Sequence, residues 1–173
     1  MEFRFRLYKV LTSVTMVISS FFVFTGLMSL FALIQAPLQL LLLTMAWGAC
    51  FIHSILSLFL QRSILVPEAP LRASTPGGIR IMGALVLIFS AVLIYSSLPL
   101  LFPTPEMIKE ILKQVPEGKQ VMLQPGMLRG VGIFCMLIAV VFAINALLSF
   151  SFLRRWLKRE AERPTHIDED EEL

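Results

Sequence analysis

The sequence predicts an all-α integral membrane protein: four transmembrane helices arranged as two tandem hairpins, with a short amphipathic helix outside the membrane. Three observations lead there. Hydrophobic residues make up 57% of the chain and charged residues 16%, against about 25% charged in an ordinary soluble domain. The charges avoid three long runs: no Asp, Glu, Lys or Arg lies between Val10 and Gln61, between Ile81 and Pro105, or between Gly130 and Leu153. A spanning helix needs about 20 apolar residues, so the first run holds two spans and the others one each. The third observation is an echo. The stretch "IHSILSLFLQR", Ile52 to Arg62, returns as "INALLSFSFLR", Ile144 to Arg154.

In chain order, residues 1–9 form a basic tail with Arg4, Arg6 and Lys9. Residues 10–61 form the first hairpin, with spans at 10–34 and 38–61. Its first span is longer than the roughly 7–15-residue core of a signal peptide, and no small-x-small cleavage site follows it. A soluble helix would keep a charged face, which these segments lack. The hairpin turns at "QAPLQ", Gln35 to Gln39, where Pro37 suits a first helical turn. So short a connection makes the two spans antiparallel neighbours. Residues 62–79 are a Pro-rich loop ending in Gly-Gly, irregular by composition.

The second hairpin covers 80–153, with spans at 80–102 and 129–153 and a loop at 103–129. That loop opens "TPEMIKEILKQV". Thr104 suits a helix N-cap, Pro105 the first helical position, and Glu106 the positive end of the dipole. Ile108, Ile111, Leu112 and Val115 then share one face, with Glu106, Lys109, Glu110 and Lys113 opposite. The pattern predicts a helix that lies on the membrane or offers a docking face. Residues 154–173 form a second basic tail that ends in five acids, Asp168 to Glu172, expected to repel one another and remain disordered.

Eleven of the fifteen basic residues fall in the two tails, in the 62–79 loop and at Arg80 beside it. The positive-inside rule then puts both termini in the cytoplasm, in a plasma or bacterial inner membrane. The expected contacts of these basic groups are anionic headgroups of the lipid bilayer, and nothing suggests nucleic acid. Cys50 and Cys135 both fall within spans, which excludes a disulfide framework and a CxxC redox centre and suits packing thiols.

The echo extends to the other spans. Lys9 aligns with Arg80 at an offset of 71, and Thr12, Ser19 and Gly26 then meet Gly83, Ser90 and Ser97. Ser13 and Ser20 meet Ala84 and Ala91. Small residues at intervals of seven keep one face of a left-handed helix pair open to close packing. The last span adds Gly132, Cys135, Ala139, Ala143 and Ala146, entered through the GxxxG of Gly126 to Gly130. The second and fourth spans align at an offset of 92, longer by the external loop. The expectation is an internal duplication, with halves related about the membrane normal.

Chemistry is sparse. His53 is the one imidazole inside a span, and an ionisable group there is a functional candidate by default. Its counterpart is Asn145, and the pattern offers hydrogen bonds between the two or to Ser54, Ser57 and Ser149. No span holds a carboxylate, so paired-acid catalysis and carboxylate-driven export lack their groups. The only other histidine is His166 in the tail, so no metal cluster forms, and a haem would need a second membrane histidine from another chain. His53 and Ser57 are spaced i, i+4, but no acid is present to orient the imidazole. The expectation is a non-catalytic protein without cofactor: a subunit, scaffold or assembly factor of a membrane complex, with a membrane-protein partner or a second copy of itself. The alternative is a small channel or carrier with a polar path beside His53 and Asn145.

Overall fold

The computed structural model describes residues 2–32, 37–66, 71–114 and 125–162. These form five helices: α1 (Glu2–Ala32), α2 (Leu38–Leu65), α3 (Thr75–Leu101), α4 (Pro105–Gln114) and α5 (Pro125–Ala161). Four of them, α1, α2, α3 and α5, are long and apolar enough to cross a membrane. No strand occurs among the described residues.

The helices outrun the charge-free stretches, for a packing reason. Residues 2–9, a tail by charge, are the first turns of α1. They contain no Gly or Pro, and Glu2 favours the positive end of the dipole. Tyr8 is fully buried, stacked on Phe152 with centroids 5.1 Å apart, while Phe5 meets the same ring edge-on at 5.6 Å. At the other end α5 continues past residue 153 to Ala161 because Trp156 is buried there and donates its indole N–H to Ser63 Oγ at 3.0 Å. The irregular stretch between hairpins shrinks likewise. α2 runs to Leu65, and α3 begins at Thr75, with Pro76 in the first turn where its missing N–H costs nothing.

α1 packs along α2, and α3 along α5; α2 also meets α3, α1 meets α5, and α2 and α5 touch across the middle. The starts of α1 and α3 and the ends of α2 and α5 gather at one end of the bundle, where Tyr8, Leu60, Ile79, Phe152, Leu153 and Trp156 form an apolar cluster. A second cluster, Trp47, Cys50, Val86, Ile138, Phe142 and Ala146, lies farther along. Trp47 anchors it, stacked on Phe22 at 4.2 Å and edge-on to Phe89 and Phe142.

The two hairpins bury themselves in register. From 8–31 on α1 and 79–102 on α3 (an offset of 71), the degree of burial agrees at every position except Gly26 against Ser97. On α2 and α5, at an offset of 92, the pairs Trp47/Ala139, Cys50/Phe142, His53/Asn145, Ser54/Ala146, Ser57/Ser149, Leu60/Phe152 and Gln61/Leu153 are all buried. Ser57 and Ser149 meet directly, Oγ to Oγ at 3.1 Å.

At the opposite end, Thr104 caps α4 by accepting the Met107 N–H at 3.3 Å. Met107 and Ile108 are half-buried and Glu106 and Glu110 exposed. The side chains of Ile111 and Leu112, and all of Val115, lie outside the described residues, as does the acidic run at 168–172.

Close approach between backbones is sharpest at Gly132. A Cβ added there would sit 2.9 Å from Leu100 Cβ and 3.2 Å from the Leu100 carbonyl carbon. Gly48 is the natural control, since a Cβ there meets nothing within 4 Å. Gly132→Ala is expected to destabilise the bundle by about 1–3 kcal/mol through overpacking. Gly48→Ala is expected to gain about 0.5–1 kcal/mol, the ordinary helical preference of Ala over Gly. Thermal unfolding of both variants in mild detergent checks the opposite signs.

Candidate functional site

Between the two apolar clusters lies a layer of polar side chains. α1 supplies Tyr8, Thr12, Thr15 and Ser19, spaced i, i+4, i+7 and i+11 on one face and all fully buried. α2 supplies His53, Ser54, Ser57 and Gln61, and α5 supplies Asn145 and Ser149, none more than 5% exposed.

Asn145 is the hub. Its Nδ2 donates to Thr15 Oγ1 at 3.1 Å, and its Oδ1 accepts from Thr12 Oγ1 at 3.0 Å. Gln61 Nε2 donates to the same Thr12 hydroxyl at 2.7 Å. Thr15 Oγ1 is 3.2 Å from Ser54 Oγ. Ser149 Oγ joins the Tyr8 hydroxyl at 3.0 Å as well as Ser57. Each serine or threonine hydroxyl carries a single proton. Thr12 therefore divides its proton between Asn145 and the Tyr8 carbonyl, 2.8 Å away one turn back. Such back-bonds also hold Thr15, Ser19 and Ser54 to their own helices. A buried polar group left unpaired costs about 1–3 kcal/mol, so the layer holds α1, α2 and α5 in one register.

His53 stands apart from this network. It is 1% exposed, and neither ring nitrogen has a hydrogen-bond partner among the described residues. The reason is visible in the register. Asn145 is bonded by Thr12 and Thr15, whose counterparts at an offset of 71 are Gly83 and Val86, and neither carries a polar side chain. The imidazole Cε1 instead lies 3.2 Å from where a Cβ on Gly83 would be. The Phe150 ring closes the same space, 2.6 Å from that point. Ser90, the counterpart of Ser19, also has an unpartnered hydroxyl. His53 and Ser90 are thus the buried side chains whose polar atoms go unmatched among the described residues.

The sequence-derived candidates divide accordingly. Asn145, Ser54, Ser57 and Ser149 come together in one network, and His53 lies beside it without joining. Of the small-residue stripe, Thr12, Ser19, Gly83, Ser90, Ser97, Gly132 and Ala139 are buried between helices, and Gly26, Cys135 and Ala143 are half-buried. Thr12 also proves to be a network member. The spacing along the chain does not single out Tyr8, Thr15 and Gln61. A period of seven through Thr12, Ser19 and Gly26 steps over Thr15, and Tyr8 and Gln61 sit where charge patterning marks a helix boundary.

Among the described residues no three His, Cys, Asp or Glu side chains group to hold a metal, and Cys50 and Cys135 are free thiols. No family model matches the chain, and neither curated proteins nor solved structures show significant similarity to it.

The contrast between the two counterparts is measurable. Asn145→Leu removes the bonds from α5 to Thr12 and Thr15, leaves those hydroxyls only their partners within the first hairpin, and is expected to cost about 1–3 kcal/mol. His53→Leu removes two unmatched nitrogens and is expected to leave stability unchanged or to raise it. Unfolding midpoints in detergent decide; a loss at His53 as large as that at Asn145 would show that the imidazole has a partner.

Proposed function

We propose that this chain is a non-catalytic subunit, scaffold or assembly factor of a membrane complex, built from two tandem copies of one helical hairpin. The observation that carries this reading is the closed interior. The polar groups of the central layer bond mainly to one another, apolar clusters flank the layer on both sides, and the two clefts among the described residues are lined outside it. What remains for function is the outside of the bundle.

α1 is the most peripheral span. Only 11% of its most apolar stretch is buried, against 33% for α2. Its outward stripe includes Val10, Val17, Phe21, Phe24 and Phe31, each at least 60% exposed. In the proposed arrangement this stripe faces lipid or a partner helix. The basic end of the bundle faces the cytoplasm, and α4 lies on the opposite surface as a second docking face. The shared burial register of the hairpins and the Ser57–Ser149 contact support the duplication.

The rival reading, a small channel or carrier, draws on the unmatched His53. The aromatic seal around Trp47 and Phe152 weighs against it, because a path would have to cross both clusters.

Photo-crosslinkers placed at Val17 and Phe24 in native membranes are expected to give a discrete adduct, with the protein eluting as a complex in mild detergent. A lone monomer without adduct would remove the subunit reading. Proteoliposomes of the purified chain are expected to show no more ion flux than empty vesicles; flux abolished by His53→Ala together with Asn145→Ala would favour the carrier.

A further inference from the structure

A cleft of about 470 Å³ opens between the end of α2 and the start of α3, outside the polar layer. Its apolar wall includes Leu56 and Phe59, and its rim carries Arg62, Arg72 and Ser74. Both arginines are exposed, and neither pairs with a carboxylate among the described residues. Arg62 is the first charge after the long neutral run of the first hairpin, so the cleft straddles the boundary between hydrocarbon and headgroups. The Ser74 side chain makes no capping bond to α3. Of the first-turn N–H groups of α3, that of Thr75 is taken by the Arg72 carbonyl at 2.9 Å and Pro76 has none, which leaves that of Gly77; a Cβ added at Gly77 would meet nothing within 4 Å, so the backbone there is open to approach.

We propose that this cleft is a binding site for a phosphate group, carried on a diacyl lipid whose chain lies along Leu56 and Phe59. Arginine suits the site because its planar fork donates two parallel hydrogen bonds to phosphate oxygens. The Ser74 hydroxyl and the dipole at the start of α3 add neutral donors and a favourable field. The apolar wall below the arginines distinguishes this place from a general basic surface. It holds a chain in line with the headgroup, as a bilayer lipid presents it. The proposal goes beyond the subunit reading and does not depend on it.

The test uses the delipidated full chain in dodecyl maltoside, titrated under native mass spectrometry with dioleoylphosphatidylglycerol, dioleoylphosphatidylcholine or inorganic phosphate. The anionic lipid is expected to bind more tightly than the zwitterionic one. Arg62→Gln with Arg72→Gln is expected to weaken it about thirtyfold, on the scale of two arginines near a charged headgroup. Arg4→Gln with Arg6→Gln, at the same end of the bundle, is expected to change it less than about twofold. Ser74→Asp separates binding from folding. A carboxylate there favours the α3 dipole, so the thermal midpoint holds or rises while lipid binding falls. Inorganic phosphate that displaces the lipid with the same arginine dependence would assign the cleft to a soluble phosphate. No displacement at millimolar concentration assigns it to the lipid. Equal binding of the two lipids, or equal loss in the Arg4 and Arg6 control, would overturn the site.

Discussion

The bond pair between Asn145 and the two threonines of α1 is the constraint on which the rest of the bundle depends. A hydrocarbon surround supplies no partner for an amide. Once Asn145 is committed to the interior, Thr12 and Thr15 must stand opposite it, and α1 cannot slide or rotate against α5. Gln61 then fixes α2 to the same hydroxyl. The aromatic clusters on either side add area and exclude lipid, but apolar side chains alone tolerate more than one register. Net hydrogen-bond energies in membrane bundles are small, about 0.6–2 kcal/mol each. Their contribution here is chiefly to specify one arrangement among several of similar packing.

The two halves are alike in what they bury and unlike in what they bury it with. Tyr8, Thr12 and Thr15 answer to Ile79, Gly83 and Val86. One side of the bundle is therefore a hydrogen-bonded seam, and the other is a seam of shape, in which Phe150 and His53 fill the space above Gly83. A polar seam resists small shifts because its bonds are directional. A seam of aliphatic and aromatic surfaces resists them less. The α2–α3 contact, which also borders the arginine-lined cleft, is the softer of the two.

Much of this architecture could be read from the sequence, because long apolar helices declare themselves in composition. The four long helices follow from charge-free runs, the α4 start from Thr104 and Pro105, and the equivalent positions from two offsets. The helices run past the charge-free stretches because Tyr8 and Trp156 continue the packing beyond them. The network was only half visible for a related reason. Spacing alone showed that Ser54, Ser57, Asn145 and Ser149 share a depth, but the choice of Thr12 and Thr15 over His53 as partners of Asn145 depends on which helix faces which. No pattern along the chain states that α1, rather than α3, carries the hydroxyls that Asn145 uses.

The placement of those hydroxyls also makes the order of synthesis matter. The first hairpin can satisfy itself as it emerges. Gln61 reaches Thr12 within it, Thr15 reaches Ser54, and each threonine has a carbonyl one turn back. Asn145 has no described partner in its own hairpin, and its acceptor on Thr15 was made 130 residues earlier. At about 5–20 residues per second, the first hairpin is complete for on the order of ten seconds before the amide arrives. The later half thus meets hydroxyls that already stand in place for Asn145, whereas the reverse order would leave that amide waiting for them.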